Sequence, residues 1–467
     1  MNNTQEIDAV VSQELTIISK NLVRAASKTA NERIISSSMK RKHAQKFELK
    51  EVQEDDGVLV DGMCQSVGTT IKKEALRLRP SYFQLEYDEK YLVDLGLNSI
   101  LFLSRSRDAG QARLFSEESW RKLKEVYSQV LENHADPVSK YGEKLSKLEK
   151  LGKADLRDAR AYAFKNEMKS TRSDQADLFA IYSHYLEVME YHGYIFDKDI
   201  DITEADLTVK MWGSLFEKLF RRTKLRCKWG ESVGDSSGAA GSPGFKVDLR
   251  VIKDTLSRRN KEADIGNMEM ARMGASVVKT CSDKSKLLIE SKCVLDCLAR
   301  EHPEKACNIV VPALQIVGNK AVLFSLRLVA PGLYVAVKEA AASISSSISK
   351  LKDFRDVAKL LFKFKEATIS VANIRLQGGD NSTSISTSIS TSNNSNNSNN
   401  SNTTSWLRGT WIPPRGNMKK MVPDVPHVLV SGDLSLWFKE EKDVRARSDP
   451  IRSTEWKDHC ILILSQT

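Results

Sequence analysis

Two acidic residues stand where a pair of carboxylates could do chemistry. Asp248 lies in the alternating run 244-GFKVDLRVIKD-254, and Glu269 lies in the short run 265-IGNMEMAR-272. A β-strand sends alternate side chains to opposite faces, so Lys246, Asp248 and Arg250 share one face while Val247, Leu249 and Val251 turn to the core. By the same parity Asn267, Glu269 and Ala271 share a face of the second run. Carboxylates offered from neighbouring strands are hard oxygen ligands of the kind that hold Mg²⁺. An ion held there would activate a water, and a nearby ammonium would orient that water and stabilise developing negative charge. Lys246, two residues before Asp248, can supply that cation, as can Lys279, Lys284 and Lys286 in the stretch that follows. The plainer alternative pairs Asp248 with Lys246 or Arg250 as a surface ion pair worth little. Asp264 and Glu262 are substitute acids if the strand register is shifted.

Other catalytic patterns are missing from the sequence. It has no GxxxxGK[ST], GxGxxG, HExxH or kinase HRD/DFG set. The seven cysteines form no CxxC pair, which argues against a disulfide framework or a zinc ribbon. The cluster 293-CVLDCLAREHPEKAC-307 is spaced as small thiols on a core-facing helix rather than as tetrahedral zinc ligands.

The composition is that of a folded chain, 41% hydrophobic and 28% charged over 467 residues, and a net charge of +10 favours polyanionic partners such as nucleic acid. The N-terminus lacks the apolar core of a secretory signal, and the most apolar region, 310–337, is broken by Gln315, Asn319, Lys320 and Arg327. An intracellular protein, nuclear or cytoplasmic and not attached to a membrane, is therefore expected. The basic run 39-MKRK-42 is a candidate nuclear localisation signal.

The elements that must position the acids divide the chain into five. Residues 1–50 read as a helical or partly disordered arm, and 51–202 as a mostly helical domain with a strand at 98-NSILFLS-104. Ser116 can cap a helix carrying Trp120, Leu123, Tyr127, Val130 and Leu131, and 176–195 is a richly apolar helix. The third region, 203–376, opens with a helix capped by Thr203, acidic in its first turn, whose apolar face is Val209, Trp212, Leu215, Phe216, Leu219 and Phe220. That helix is expected to end in 221-RRTKLRCK-228, cations suited to a helix terminus or to a phosphate backbone. A small-residue loop at 230–244, the two acid-bearing strands, a helix over 275–299, a hairpin turning at Gly318-Asn319, a turn at Pro331-Gly332 and a helix over 349–367 follow. The fourth region, 377–405, is a low-complexity linker of Asn and Ser that cannot bury enough apolar surface to fold. The fifth, 406–467, is a tail with possible short strands.

This order of elements, with an acid on one strand and a second acid on the next, resembles the core of the PD-(D/E)XK nuclease-like superfamily. The resemblance implies an α/β (α+β) fold, a restriction-endonuclease-like mixed sheet flanked by helices, with Asp248 and Glu269 holding Mg²⁺ for phosphodiester hydrolysis. Residues 203–367 also look like a group of uncharacterised fungal proteins of the Mucorales type. The carrying residues are the 203-TEAD-206 helix start with Trp212 and Phe216, 229-WGES-232, 246-KVDLRV-251, 269-EMAR-272, 292-KCVLD-296, 315-QIVG-318 and 331-PGLY-334. Where the superfamily's ExK pattern has lysine, two residues after Glu269, this chain has Ala271. The resemblance thus implies a nuclease-like protein, degenerate at that lysine unless Lys279 or Lys246 replaces it. The alternative is a non-catalytic interaction or scaffold protein that uses its helical surfaces and needs no cofactor.

Overall fold

The computed structural model describes residues 56–60, 63–103, 110–127, 136–170, 173–197, 199–234, 236–237, 245–254, 262–376 and 403–414. The N-terminal arm, the basic run at 39–42, the Asn/Ser tract and the apolar stretches of the far tail lie outside the described residues.

A seven-stranded mixed sheet carries the molecule, in the order β1-β7-β6-β5-β4-β3-β2. Its strands are β1 (Ile100–Leu103), β2 (Leu225–Val233), β3 (Lys246–Asp254), β4 (Glu262–Ala271), β5 (Val311–Val317), β6 (Lys320–Ala330) and β7 (Leu333–Ser343). β2, β3 and β4 form an antiparallel meander. β5 then runs parallel to β4, and a parallel pair needs a long crossover. That crossover is the helix Val277–Glu301. The hairpin β5–β6 turns on Gly318 at φ +60°, a left-handed conformation that glycine adopts without steric cost. β1 pairs parallel with β7, so a strand from before residue 203 completes the sheet.

Nine longer helices among the described residues cover the sheet. They are α1 (Val67–Leu78), α2 (Tyr87–Leu97), α3 (Glu117–Tyr127), α4 (Gly142–Ala154), α5 (Leu156–Met168), α6 (Asp174–Tyr191), α7, α8 (Val277–Glu301) and α9 (Phe354–Leu376). α7 is continuous from Glu204–Leu207 through a π-helical turn, Thr208–Trp212, into Gly213–Phe220. One face of the sheet packs against α8, with α2 beside it; the other packs against α9, and α7 bridges α9 and α6. Apolar residues from before and after position 203 join in one core, among them Phe179, Tyr182, Trp212, Phe216, Leu288, Phe324 and Phe354.

Several expectations are corrected. The plainer reading of a surface ion pair at Asp248 does not hold: Lys246 is exposed and Asp248 half-buried, while Arg250 and Glu269 are each only 1% exposed and α8 covers this part of the sheet. Val209 leaves the apolar face of α7 and is exposed, because the π turn takes more residues per turn and shifts the helical phase before Trp212. The helix ends at Phe220 rather than in the following basic run, whose last four residues begin β2. Arg221 and Arg222 instead hold Asp177 of α6. β2 also runs through Trp229 to Val233, past the expected loop start, by way of a bulge and a positive φ at Gly230. Of the cysteine cluster only Cys293 is buried; Cys297 is half-buried and Cys307 exposed. No helix among the described residues is long and apolar enough to cross a membrane.

Candidate active site

α8 explains the arrangement of charge. Lys279, Asp283, Lys286 and Glu290 recur at intervals of three or four, which places them on one helical stripe. That stripe faces the polar side of β3, β4 and β5 and forms a seam between helix and sheet.

At one end of the seam the predicted acids meet. Arg250 pairs with Asn267 and Leu249 with Met268 across the antiparallel ladder, so the next step brings Asp248 opposite Glu269. The Asp248 carboxylate accepts the backbone N–H of Met270 at 2.7 Å, which fixes it against β4. Lys286 Nζ lies 2.8 Å from Glu269 Oε2 and 2.7 Å from Oε1. Lys279 Nζ lies 2.7 Å from Asp283, one turn before Lys286. Glu204, in the first turn of α7, is half-buried and interacts with Asp248, Asp283 and both lysines. The capping box of Thr203 and Asp206 fixes the start of that helix. Gln315 of β5 is paired with Glu269 and donates to the carbonyl of Thr280 at 2.7 Å.

The electrostatics have one sign. Burial pushes the Glu269 carboxyl well above the usual carboxylate range, and the nearby Asp248 adds to the rise while Lys286 opposes it. Asp283 and Glu204 are raised as well, again by burial first; Asp248 adds to both. Burial alone would lower Lys279, but its hydrogen bond to Asp283 and the charges of Asp283, Glu269 and Glu204 raise it overall. With all groups ionised, the four acids Glu204, Asp248, Glu269 and Asp283 and the two lysines 279 and 286 leave a net charge of −2. Hydrogen bonding is incomplete in the same place. Among the described residues, Asn267 Nδ2 and Gln315 Oε1 are buried without a partner, and Glu269 Oε1 and Asp283 Oδ2 have only an ammonium out of hydrogen-bonding geometry. Native proteins rarely leave buried polar atoms in this state.

The site therefore fits a divalent cation in charge and ligand chemistry. Mg²⁺ commonly takes one or two protein carboxylates and fills its remaining positions with water or phosphate. Among the described residues no three His, Cys, Asp or Glu side chains are placed to hold an ion together. The fit rests on two carboxylates and the charge deficit, without a closed cage.

The other candidates lie elsewhere. Lys246 is exposed at the start of β3, opposite Val233. Lys284 points away from the acids, its Nζ 4.6 Å from the Tyr91 ring and 5.0 Å from that of Phe102. Arg250 binds Asp264, with Nε at 2.7 Å, and not Asp248. Glu262 takes Lys228 at 2.5 Å and Arg226 at 3.1 Å. Sequence reading missed Glu204, Asp283 and Gln315. The signal for Asp283 was present: a polar stripe on a helix long enough to be a crossover, where an apolar one would be expected. The comparisons add nothing to this geometry, since no protein family, curated protein or solved structure matches the chain.

Proposed function

We propose that the chain is a nuclease-like protein with a restriction-endonuclease-like core, acting on nucleic acid at the Asp248–Glu269 pair. The observation that carries this reading is the deficit of positive charge among buried, incompletely bonded carboxylates facing Lys286. The order α7, β2, β3, β4, α8, β5 supports it, being the helix–strand–strand–strand–helix–strand order of that superfamily. A formal charge of +10 suits a polyanionic substrate.

Asp248, held by the Met270 N–H, and Glu269, held by Lys286, would bind Mg²⁺. When bound, the ion supplies Lewis acidity and an activated water. Lys286 stands in for the lysine that Ala271 does not provide. It reaches the second-strand acid from the helix, where its Nζ can orient a water and offset charge developing on a phosphate. Half-buried Glu204 and exposed Lys279 lie toward solvent, where a phosphodiester would enter.

A magnesium-dependent cleavage assay on single- and double-stranded DNA and RNA tests this reading. Asp248→Asn, Glu269→Gln and Lys286→Met are each expected to lose at least about 100-fold in rate, the scale of removing one electrostatic catalytic group. Equal rates in wild type and variants, or no cleavage by wild type with Mg²⁺ or Mn²⁺, defeats the catalytic claim. A second reading, a non-catalytic interaction protein, draws on the exposed Phe164 and Met168 of α5 and Tyr191 of α6. Salt-sensitive nucleic-acid binding that survives Asp248→Asn, without cleavage, separates binding from catalysis.

A further inference from the structure

The geometry points to residues 403–414, TTSWLRGTWIPP, as a peptide ligand seated in a groove of the chain's own body, which the same segment of a second copy can fill by exchange. The segment follows residues 377–402, a Ser- and Asn-rich stretch that ties it to α9. Its contacts come from parts of the chain far apart in sequence. Gly332, at the β6–β7 turn, donates its N–H to the Trp406 carbonyl at 2.9 Å. Arg408 grips the buried Asp56 carboxylate, with Nε 3.1 Å from each oxygen. Lys292 of α8 donates to the Arg408 carbonyl at 2.7 Å and to Thr410 Oγ1 at 3.2 Å. Asn98, after α2, accepts the Trp411 N–H and donates to the Trp411 carbonyl, both at 2.9 Å. The Trp411 ring packs edge-on against Tyr82 at 5.4 Å.

All of this recognition lies between Trp406 and Trp411. A guanidinium doubly bonded to a carboxylate, backbone pairing by one asparagine and flanking tryptophans are the elements of peptide-in-groove binding. No covalent bond other than the tether joins the segment to the groove. Fully extended, a tether of this length reaches up to roughly 90 Å, enough to pass to a neighbouring molecule. In an exchanged pair every contact is remade identically, so exchange costs little beyond association. At low protein concentration the effective concentration set by the covalent connection keeps the segment on its own body.

The test uses the full chain with a protease recognition site placed within residues 377–402. After cleavage the C-terminal fragment should stay bound through gel filtration, and a labelled synthetic peptide of residues 403–414 should displace it. An Arg408→Ala peptide should bind at least tenfold more weakly, and the uncut chain should take up the peptide at least tenfold more weakly than the cut one. Refolding at high concentration should yield dimers that fall to monomer size when the tether is cut. A cut chain that loses its fold, or takes up the peptide no better than the uncut chain, overturns the ligand assignment. Absence of dimers, or dimers that survive cutting, overturns exchange with a second copy.

Discussion

Two polar clusters share α8, centred on Lys286 and Lys292, and they are built to opposite standards. Around Lys292 the charges are answered: Lys292 lies 2.7 Å from Asp296, Lys72 3.7 Å from Asp56, and Arg408 closes on Asp56. Tyr334 donates its hydroxyl to Asp296 at 2.5 Å. Around Lys286 four acids face two lysines, and four polar atoms lack proper hydrogen bonds. Burying charge is costly unless it is paired and bonded. The first cluster meets that condition and stabilises the fold, whereas the second breaks it in the place where a cation would complete it. The fold tolerates that local instability, and the proposed function rests on it.

The comparison breaks first if the Lys292 cluster proves dispensable. Arg408→Ala leaves Asp56, 1% exposed, with the longer contact to Lys72 as its one cation among the described residues, and should destabilise by about 3–5 kcal/mol. A shift of the urea midpoint equivalent to less than ~1 kcal/mol would show that the junction is not structural.

A pH effect of similar size is expected from the inner end of the seam. Burial, with Asp264 alongside, raises Glu290 from 4.5 to about 7, although Arg250 and hydrogen bonds from Ser237 and the Phe245 N–H oppose the rise. The folded state therefore holds a proton on Glu290 that the unfolded chain has released above about pH 4.5. This contribution to stability is present at acidic pH and fades as pH rises toward 7, on the order of 3 kcal/mol in all. Asp94, also raised to about 7 by burial, acts in the same direction. Chemical denaturation at pH 5 and pH 8 should show Glu290→Gln flattening the profile by its own share only. An unchanged profile would mean that Glu290 is ionised in the fold.

Smaller effects sharpen the contrast at the site. Asp283→Asn removes one of the crowded acids, so without divalent ions it should stabilise the chain at pH 8 by roughly 1 kcal/mol. The same change should weaken Mn²⁺ binding. Destabilisation by as much would mean that the cluster is already balanced by its lysines. Lys246→Ala, at an exposed position, should change stability by less than about 0.5 kcal/mol.

Much of this was legible in the sequence. Alternation marked β3, Gly318-Asn319 marked the β5–β6 turn, Thr203 marked the start of α7, and parity gave the residues that share a face with Asp248 and with Glu269 within each strand, leaving the relation between the two strands to the β3–β4 register. What parity does not carry is what lies over a face. Only the crossover geometry of α8 brings Asp283 and Lys286 onto those acids and turns the non-core face into a buried seam. The π turn that exposes Val209 has no local signature, and the bulge that carries β2 past Gly230 looks like a loop in a glycine-rich stretch. The docking of Trp406–Trp411 was hidden for another reason: its partners, Asp56, Asn98, Lys292 and Tyr334, are scattered along the chain, and no periodicity joins them.

Calorimetric titration of Mg²⁺ into the full chain tests the central claim most directly, that Asp248 and Glu269 bind one divalent cation. The account predicts one ion per chain, tighter at pH 8 than at pH 5.5 because raised carboxyls must lose protons to bind it. It also predicts proton release and at least tenfold weaker binding in Asp248→Asn and Glu269→Gln. No saturable binding, or equal binding in wild type and both variants, would contradict it.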